Sequence, residues 1–138
     1  MKTERLDAHN PDHLQRAGEL LRAGELVAVP TETVYGLAAD ASNPVAVSRI
    51  FAAKGRPADH PLITHIAALN QLPRWVREVP DWVEGLAAAF WPGPLTLLFD
   101  RHPEVSSVIT GGLSTIGIRM PDHPVLLNLL RQFDLAVA

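Results

Sequence analysis

Lys54 and Arg56 stand either side of Gly55 in the stretch "KGRP", a spacing that lets an ammonium and a guanidinium converge on one anion. Lysine acts as a point charge and arginine as a planar fork for phosphate oxygens, so the polyphosphate of a nucleotide suits such a clamp. A solvated helix end would use the same residues. Arg119 ends "STIGIR", a run otherwise free of charge. Burying a guanidinium without a partner is costly, so a carboxylate of the protein or of a ligand should meet it. Thr115, four residues earlier, falls on the same strand face as Arg119. His60 and His65 bracket "PLIT" and, with His102 and His123, lack metal-ligand spacing such as H-E-x-x-H, so no metal site is expected. Strand parity groups His65 with Ile63 and sets Thr64 with Ile66 on the other face. The imidazole therefore either replaces a core side chain or points into a pocket. In "VAVPTETVYGLAAD", Thr31 and Thr33 put hydroxyls at a strand exit, where α/β sheets tend to hold ligands, although a plain strand-turn-strand link would read alike.

The elements that must position these residues follow from periodicity and punctuation. Asn10-Pro11 starts a helix in which Leu14, Ala17, Leu20 and Leu21 recur until Gly24. "ELVAVP" and "VYGLAAD" read as strands around the polar turn. Ser42-Asn43-Pro44 opens a second helix, with Val47, Ile50 and Phe51 on one face, Lys54 in the last turn and Gly55 as the stop. "HPLITHIA" is rich in strand formers, and helical pieces are expected over 72–78 and 81–90. "WPGP" breaks the second piece before the strand "LTLLFD". Within "WPGPLTL", Trp91 is expected in the core and Gly93 with its prolines in a rigid turn, with no chemistry attached. "STIGIRM" is a strand, and Asp122-His123-Pro124 begins a last helix carried by Val125, Leu126, Leu129 and Leu130 before the apolar "DLAVA". Helices alternating with short apolar strands predict a layered α/β domain with helices covering a mixed sheet.

The chain has 138 residues, 47% of them hydrophobic, a formal charge of -3 and no cysteine. One domain over 1–138 is expected, and disulfides, thiolate metal sites and cysteine nucleophiles are excluded. The charge argues against a general polyanion binder, so any nucleic acid would meet a local patch. No signal-like apolar region opens the chain and no stretch is long enough to span a membrane, so a soluble, cytoplasmic protein is expected. Neither a G-x-x-x-x-G-K-[ST] loop nor a G-x-G-x-x-G fingerprint is present, which excludes Walker and Rossmann nucleotide sites.

Four motifs in order, "PTETVYGLAADA", "KGRPADHPLITHI", "WPGPLTLL" and "TIGIRMPDHP", resemble the successive signatures of the YrdC-like family, the L-threonylcarbamoyladenylate synthases. The resemblance runs from about Leu14 to the last residue. It implies a twisted mixed parallel and antiparallel sheet flanked by helices around a positively charged cavity. It also implies a nucleotidyltransferase reaction in which L-threonine, bicarbonate and ATP with Mg²⁺ give L-threonylcarbamoyl-AMP and pyrophosphate. The product serves the threonylcarbamoyl modification of tRNA adenosine 37 through downstream transferase proteins. By the same resemblance, Thr33, His65 and Arg119 match positions that hold L-threonine. Arg56, His60 and Thr115 match positions that contact ATP, and Lys54 matches the first basic residue of the K-x-R motif. His60 stands where asparagine is common. The family continues into a P-S-x-N segment, so residues 1–138 are expected to be a synthase domain, incomplete at its C-terminus.

The implied chemistry needs no protein nucleophile. Threonine's amine forms a carbamate, whose oxygen displaces pyrophosphate at the α-phosphorus. Two anions must be aligned and neutralised, a task for Lys54, Arg56, Arg119 and Mg²⁺. Two other readings remain open from sequence: a tRNA-binding or double-stranded-RNA-binding module without catalysis, and carbamoyl transfer as in hydrogenase maturation proteins, whose zinc-finger-like segments have no counterpart here.

Overall fold

The computed structural model describes residues 3–31, 34–55, 57 and 59–138. Three of its helices begin alike, with a capping side chain followed by proline, whose missing N–H needs no partner in a first turn. Asn10 Oδ1 accepts from the Asp12 N–H at 3.0 Å to start α1 (Pro11–Arg22). Asn43 Oδ1 accepts from Val45 and Ala46 at 3.1 and 3.2 Å to start α2 (Pro44–Lys54). His123 Nδ1 accepts from Val125 at 3.2 Å to start α4 (Pro124–Phe133), so this histidine is a cap. The stop of α2 is Gly55 in the left-handed region, as its sequence context demands.

Between α2 and α4 lie β3 (Ile63–His65), a 3₁₀ turn (Leu69–Arg74), α3 (Val83–Phe90), β4 (Leu97–Asp100) and β5 (Thr115–Arg119). The helix expected over 72–78 is not formed. Pro73 lies inside the 3₁₀ turn, and Val76 instead bridges Arg101 in antiparallel fashion. A proline removes a helical donor and crowds the preceding turn, which ends the helical run early.

A hairpin of β1 (Val27–Val29) and β2 (Gly36–Ala38) pairs Val29 with Gly36 across the polar turn. The second sheet has the order β3-β5-β4, with β5 parallel to β3 and antiparallel to β4. Residues 136–138 join the two sheets edge to edge. Val137 exchanges backbone hydrogen bonds with His65 at 2.7 and 3.1 Å, while Ala136 and Ala138 bond to Ala41 and Ala39 on the other side. The expected mixed sheet flanked by helices is therefore present, its two parts joined through bridges that Val137 of "DLAVA" makes to Asp40 and His65.

One face of β3-β5-β4 is packed. Thr64, Leu97, Phe99, Ile116 and Ile118 are buried there, and the apolar ones join a single cluster with Leu21 of α1, Val83 of α3 and Leu126, Leu129 and Leu130 of α4. Gly18 explains how α1 approaches α4 so closely, since a Cβ there would lie 2.0 Å from the Phe133 ring. The Arg22 guanidinium lies over the same ring at 5.6 Å and donates to the Phe133 carbonyl.

Candidate functional site

The opposite face of β3-β5-β4 carries the charged residues and the histidine of these strands. Alternation along each strand sends Ile63 and His65 of β3, Thr115, Gly117 and Arg119 of β5, and Leu98 and Asp100 of β4 to this side. The register then sets neighbours. His65 is directly opposite Arg119 on the adjoining parallel strand, Ile63 is opposite Gly117, and Asp100 is opposite Thr115. Adjacent strands are about 4.8 Å apart, so the imidazole and the guanidinium can bear on one small ligand.

Sequence parity left two options for His65, and the structure puts it on the open face, away from the core. Thr64 and Ile66 are fully buried, whereas His65 is half-exposed on the open face. Its backbone is gripped on both edges, by Arg119 through the β5 ladder and by Val137. Arg119 is half-buried and donates from Nε and Nη2 to Thr96 Oγ1, at 2.9 and 2.7 Å. A hydroxyl of the protein thus meets one edge of this guanidinium. Thr115, exposed at the other end of β5, lies on the same face.

His60 and Lys54 sit off the sheet. Lys54 ends α2 with an exposed side chain, and His60 is exposed in the loop that leads from α2 to β3. That loop is tied to the segment before β5, since the Leu62 N–H donates to the Ile109 carbonyl at 2.8 Å. Gly111, at φ +62, passes so close that a Cβ would meet the Asp59 carbonyl oxygen at 2.4 Å. Thr33 and Arg56 lie outside the described residues. Thr31 uses its hydroxyl within the turn, donating to the Val34 carbonyl and accepting from the Val34 N–H at 3.2 Å. It shapes the polar turn between β1 and β2.

Thr96 and Gly117 were missed by sequence reasoning. Gly117 leaves bare backbone between Thr115 and Arg119; a Cβ there would stand 3.3 Å from Thr96 Cγ2 and 3.6 Å from Leu98 Cδ2. Parity places Thr96 on the same face as Leu98 and Asp100, but only the β4–β5 register puts it beside Arg119. A cavity of about 560 Å³ lies elsewhere, lined by Asp40, Arg74, Trp75, His102, Glu104 and Asp134 among others, and holds none of the expected site residues that are among the described ones.

Residues 19–138 match the family model of Sua5, YciO and YrdC, described as telomere recombination. The chain belongs to this family. It is 52% identical over 122 residues to the threonylcarbamoyl-AMP synthase of Pyrococcus abyssi and 47% identical over 137 residues to that of Bacillus subtilis. These matches cover 88% and 99% of this chain but 36% and 39% of the relatives, so the chain spans well under half their length. The crystal structure of P. abyssi Sua5 in complex with L-threonine superposes with a TM-score of 0.89 at 49% identity, over 98% of this chain and 39% of that one. Membership in the Sua5/YciO/YrdC family accords with the α/β architecture and with the order of the motifs along the chain. Among the described residues, no helix is long and apolar enough to cross a membrane.

Proposed function

We propose that the protein is an L-threonylcarbamoyladenylate synthase and that residues 1–138 belong to its YrdC-like domain. The observation that carries this reading is the in-register pair of His65 and Arg119 on the open sheet face, with Thr115 two pleats away. A guanidinium suits the carboxylate of an amino acid, and the imidazole beside it is within reach of the amine or hydroxyl of the same small molecule. The relatives named threonylcarbamoyl-AMP synthase, and the L-threonine bound by P. abyssi Sua5, support threonine as that amino acid.

In this reading Arg119, His65 and Thr33 hold L-threonine, while Lys54, Arg56, His60 and Thr115 hold ATP. The amine attacks bicarbonate or carbon dioxide, and with bicarbonate the carbamate forms as water departs. A carbamate oxygen then bonds to the α-phosphorus as the bond to pyrophosphate breaks. Lys54, Arg56 and Arg119 neutralise the two anions as they meet. Among the described residues, no group of three acidic or histidine side chains could hold a metal ion. Mg²⁺ carried by the ATP phosphates would supply charge neutralisation. The product would pass, in the cytoplasm, to the proteins that modify adenosine 37 of tRNA.

Labelled bicarbonate tests the reading. The expected result is label transferred to an AMP adduct only when L-threonine and Mg-ATP are both present, with one pyrophosphate released per adduct. Pyrophosphate release that ignores threonine, or none at all from the folded protein, would contradict it.

A further inference from the structure

We propose that Thr96 is a positioning residue for the amino-acid substrate, acting through Arg119, and that the "WPGPLT" segment serves as its mount. This inference rests on the reading of Arg119 as the carboxylate anchor. Arg119 gives both Nε and Nη2 to the one hydroxyl of Thr96, at 2.9 and 2.7 Å. Two bonds from one edge of a planar group to one point aim that edge at the point, which a single contact would do less firmly. The guanidinium is thereby oriented before any ligand arrives, so less side-chain freedom is lost on binding.

The mount is braced at three points. The Trp91 indole N–H donates to the Leu95 carbonyl at 2.8 Å, next to Thr96. The Gly93 N–H donates to the carbonyl of Met120, the residue after Arg119, at 2.9 Å. Directly after Thr96, Leu97 pairs with Ile118 in the β4–β5 ladder. Segment and strand are thus tied on both sides of the Thr96–Arg119 contact. Gly117 completes the arrangement, because any larger residue would press on the Thr96 methyl. A run that reads in sequence as a core tryptophan and a rigid turn therefore has a task at the site.

Calorimetric titration of wild type, Thr96→Val and Thr96→Ser with L-threonine, L-threoninamide and Mg-ATP tests the proposal. Valine keeps the shape and removes the acceptor, so L-threonine should bind about tenfold to a hundredfold more weakly. Mg-ATP affinity should not change. Thr96→Ser keeps the hydroxyl and should stay within about threefold of wild type, well inside the loss of an unmade bond to a charged group. L-Threoninamide, which lacks the carboxylate, should bind wild type and Thr96→Val equally. If Thr96→Val does not fold, Thr96→Ala carries the same expectation. Unchanged L-threonine affinity in the variant would overturn the proposal, as would equal losses for all three ligands, the mark of a purely structural role. A folded wild type that ignores L-threonine would sink the functional reading itself, and that outcome is visible before any variant is measured.

Discussion

Replacing Arg119 by lysine keeps a positive charge at the end of β5 but removes the planar fork and the double contact to Thr96. L-Threonine binding should weaken by about 1.5–3 kcal/mol, the usual worth of a hydrogen bond to a charged group, with little change in melting temperature. Titration alongside a thermal melt checks both parts, and undiminished binding would remove Arg119 from the site. Arg119 and His65 were legible in the sequence because a charge or imidazole among strand-forming apolar residues must be accounted for, and Thr115 followed by strand parity with Arg119. Thr96 was not, because a threonine in an amphipathic strand is ordinary until the partner strand and its register are known. Gly117 was hidden for a related reason: in sequence it resembles any strand glycine, and its crowding against Thr96 Cγ2 exists only across the ladder.

Elements fix how rigidly those side chains are held. Gln71, buried in the 3₁₀ turn, accepts from the Ala67 N–H at 2.8 Å and donates to the Leu135 carbonyl at 3.0 Å, tying the exit of β3 to the joining strand. Gln71→Leu leaves both backbone groups without that partner, at a cost of about 1–3 kcal/mol each. Hydrogen exchange at the His65 and Val137 amides should accelerate more than exchange within α4; uniform acceleration would mean that Gln71 does not act locally. Gly18→Ala is expected to destabilise the protein. Alanine gains about 1 kcal/mol in helix propensity, but a methyl 2.0 Å from the Phe133 ring forces α1 and α4 apart. The net loss should be about 1–3 kcal/mol by urea denaturation. The starts of α1, α2 and α4 were legible from their Asn-Pro and His-Pro pairs. Gly18 carried no such mark, since a glycine in a helical pattern reads as a weakness until the neighbour that needs the space is known.

Across the whole molecule, the long-range closure by residues 136–138 is what sequence patterning left undetermined. "DLAVA" reads as a strand, yet nothing local says that it lies between the hairpin and β3. Close to that strand, a hydrogen bond from Arg74 holds the Asp134 carboxyl below its ordinary value of 3.8. A carboxyl depressed in the folded state contributes stability that is present above the unfolded value and lost as pH falls through the folded one. Asp134→Asn suits the left-handed cap and should remove that acid-limb dependence by lowering the neutral-pH melting temperature slightly while leaving the acid one unchanged; an acid limb as steep as that of wild type would count against the Arg74 contact in solution. The net charge of -3 gives no general reason for RNA binding, so any affinity for duplex RNA should be weak at about 0.15 M salt. Tight, threonine-indifferent RNA binding would favour a binding module over a synthase. The most direct measurement is calorimetric titration of L-threonine into the protein with Mg-ATP present, with L-serine and L-valine as controls that remove the methyl and the hydroxyl in turn. Binding of L-threonine well above both controls is the expected result; equal heats for all three, or none from folded protein, would contradict the amino-acid site on the β3-β5-β4 face.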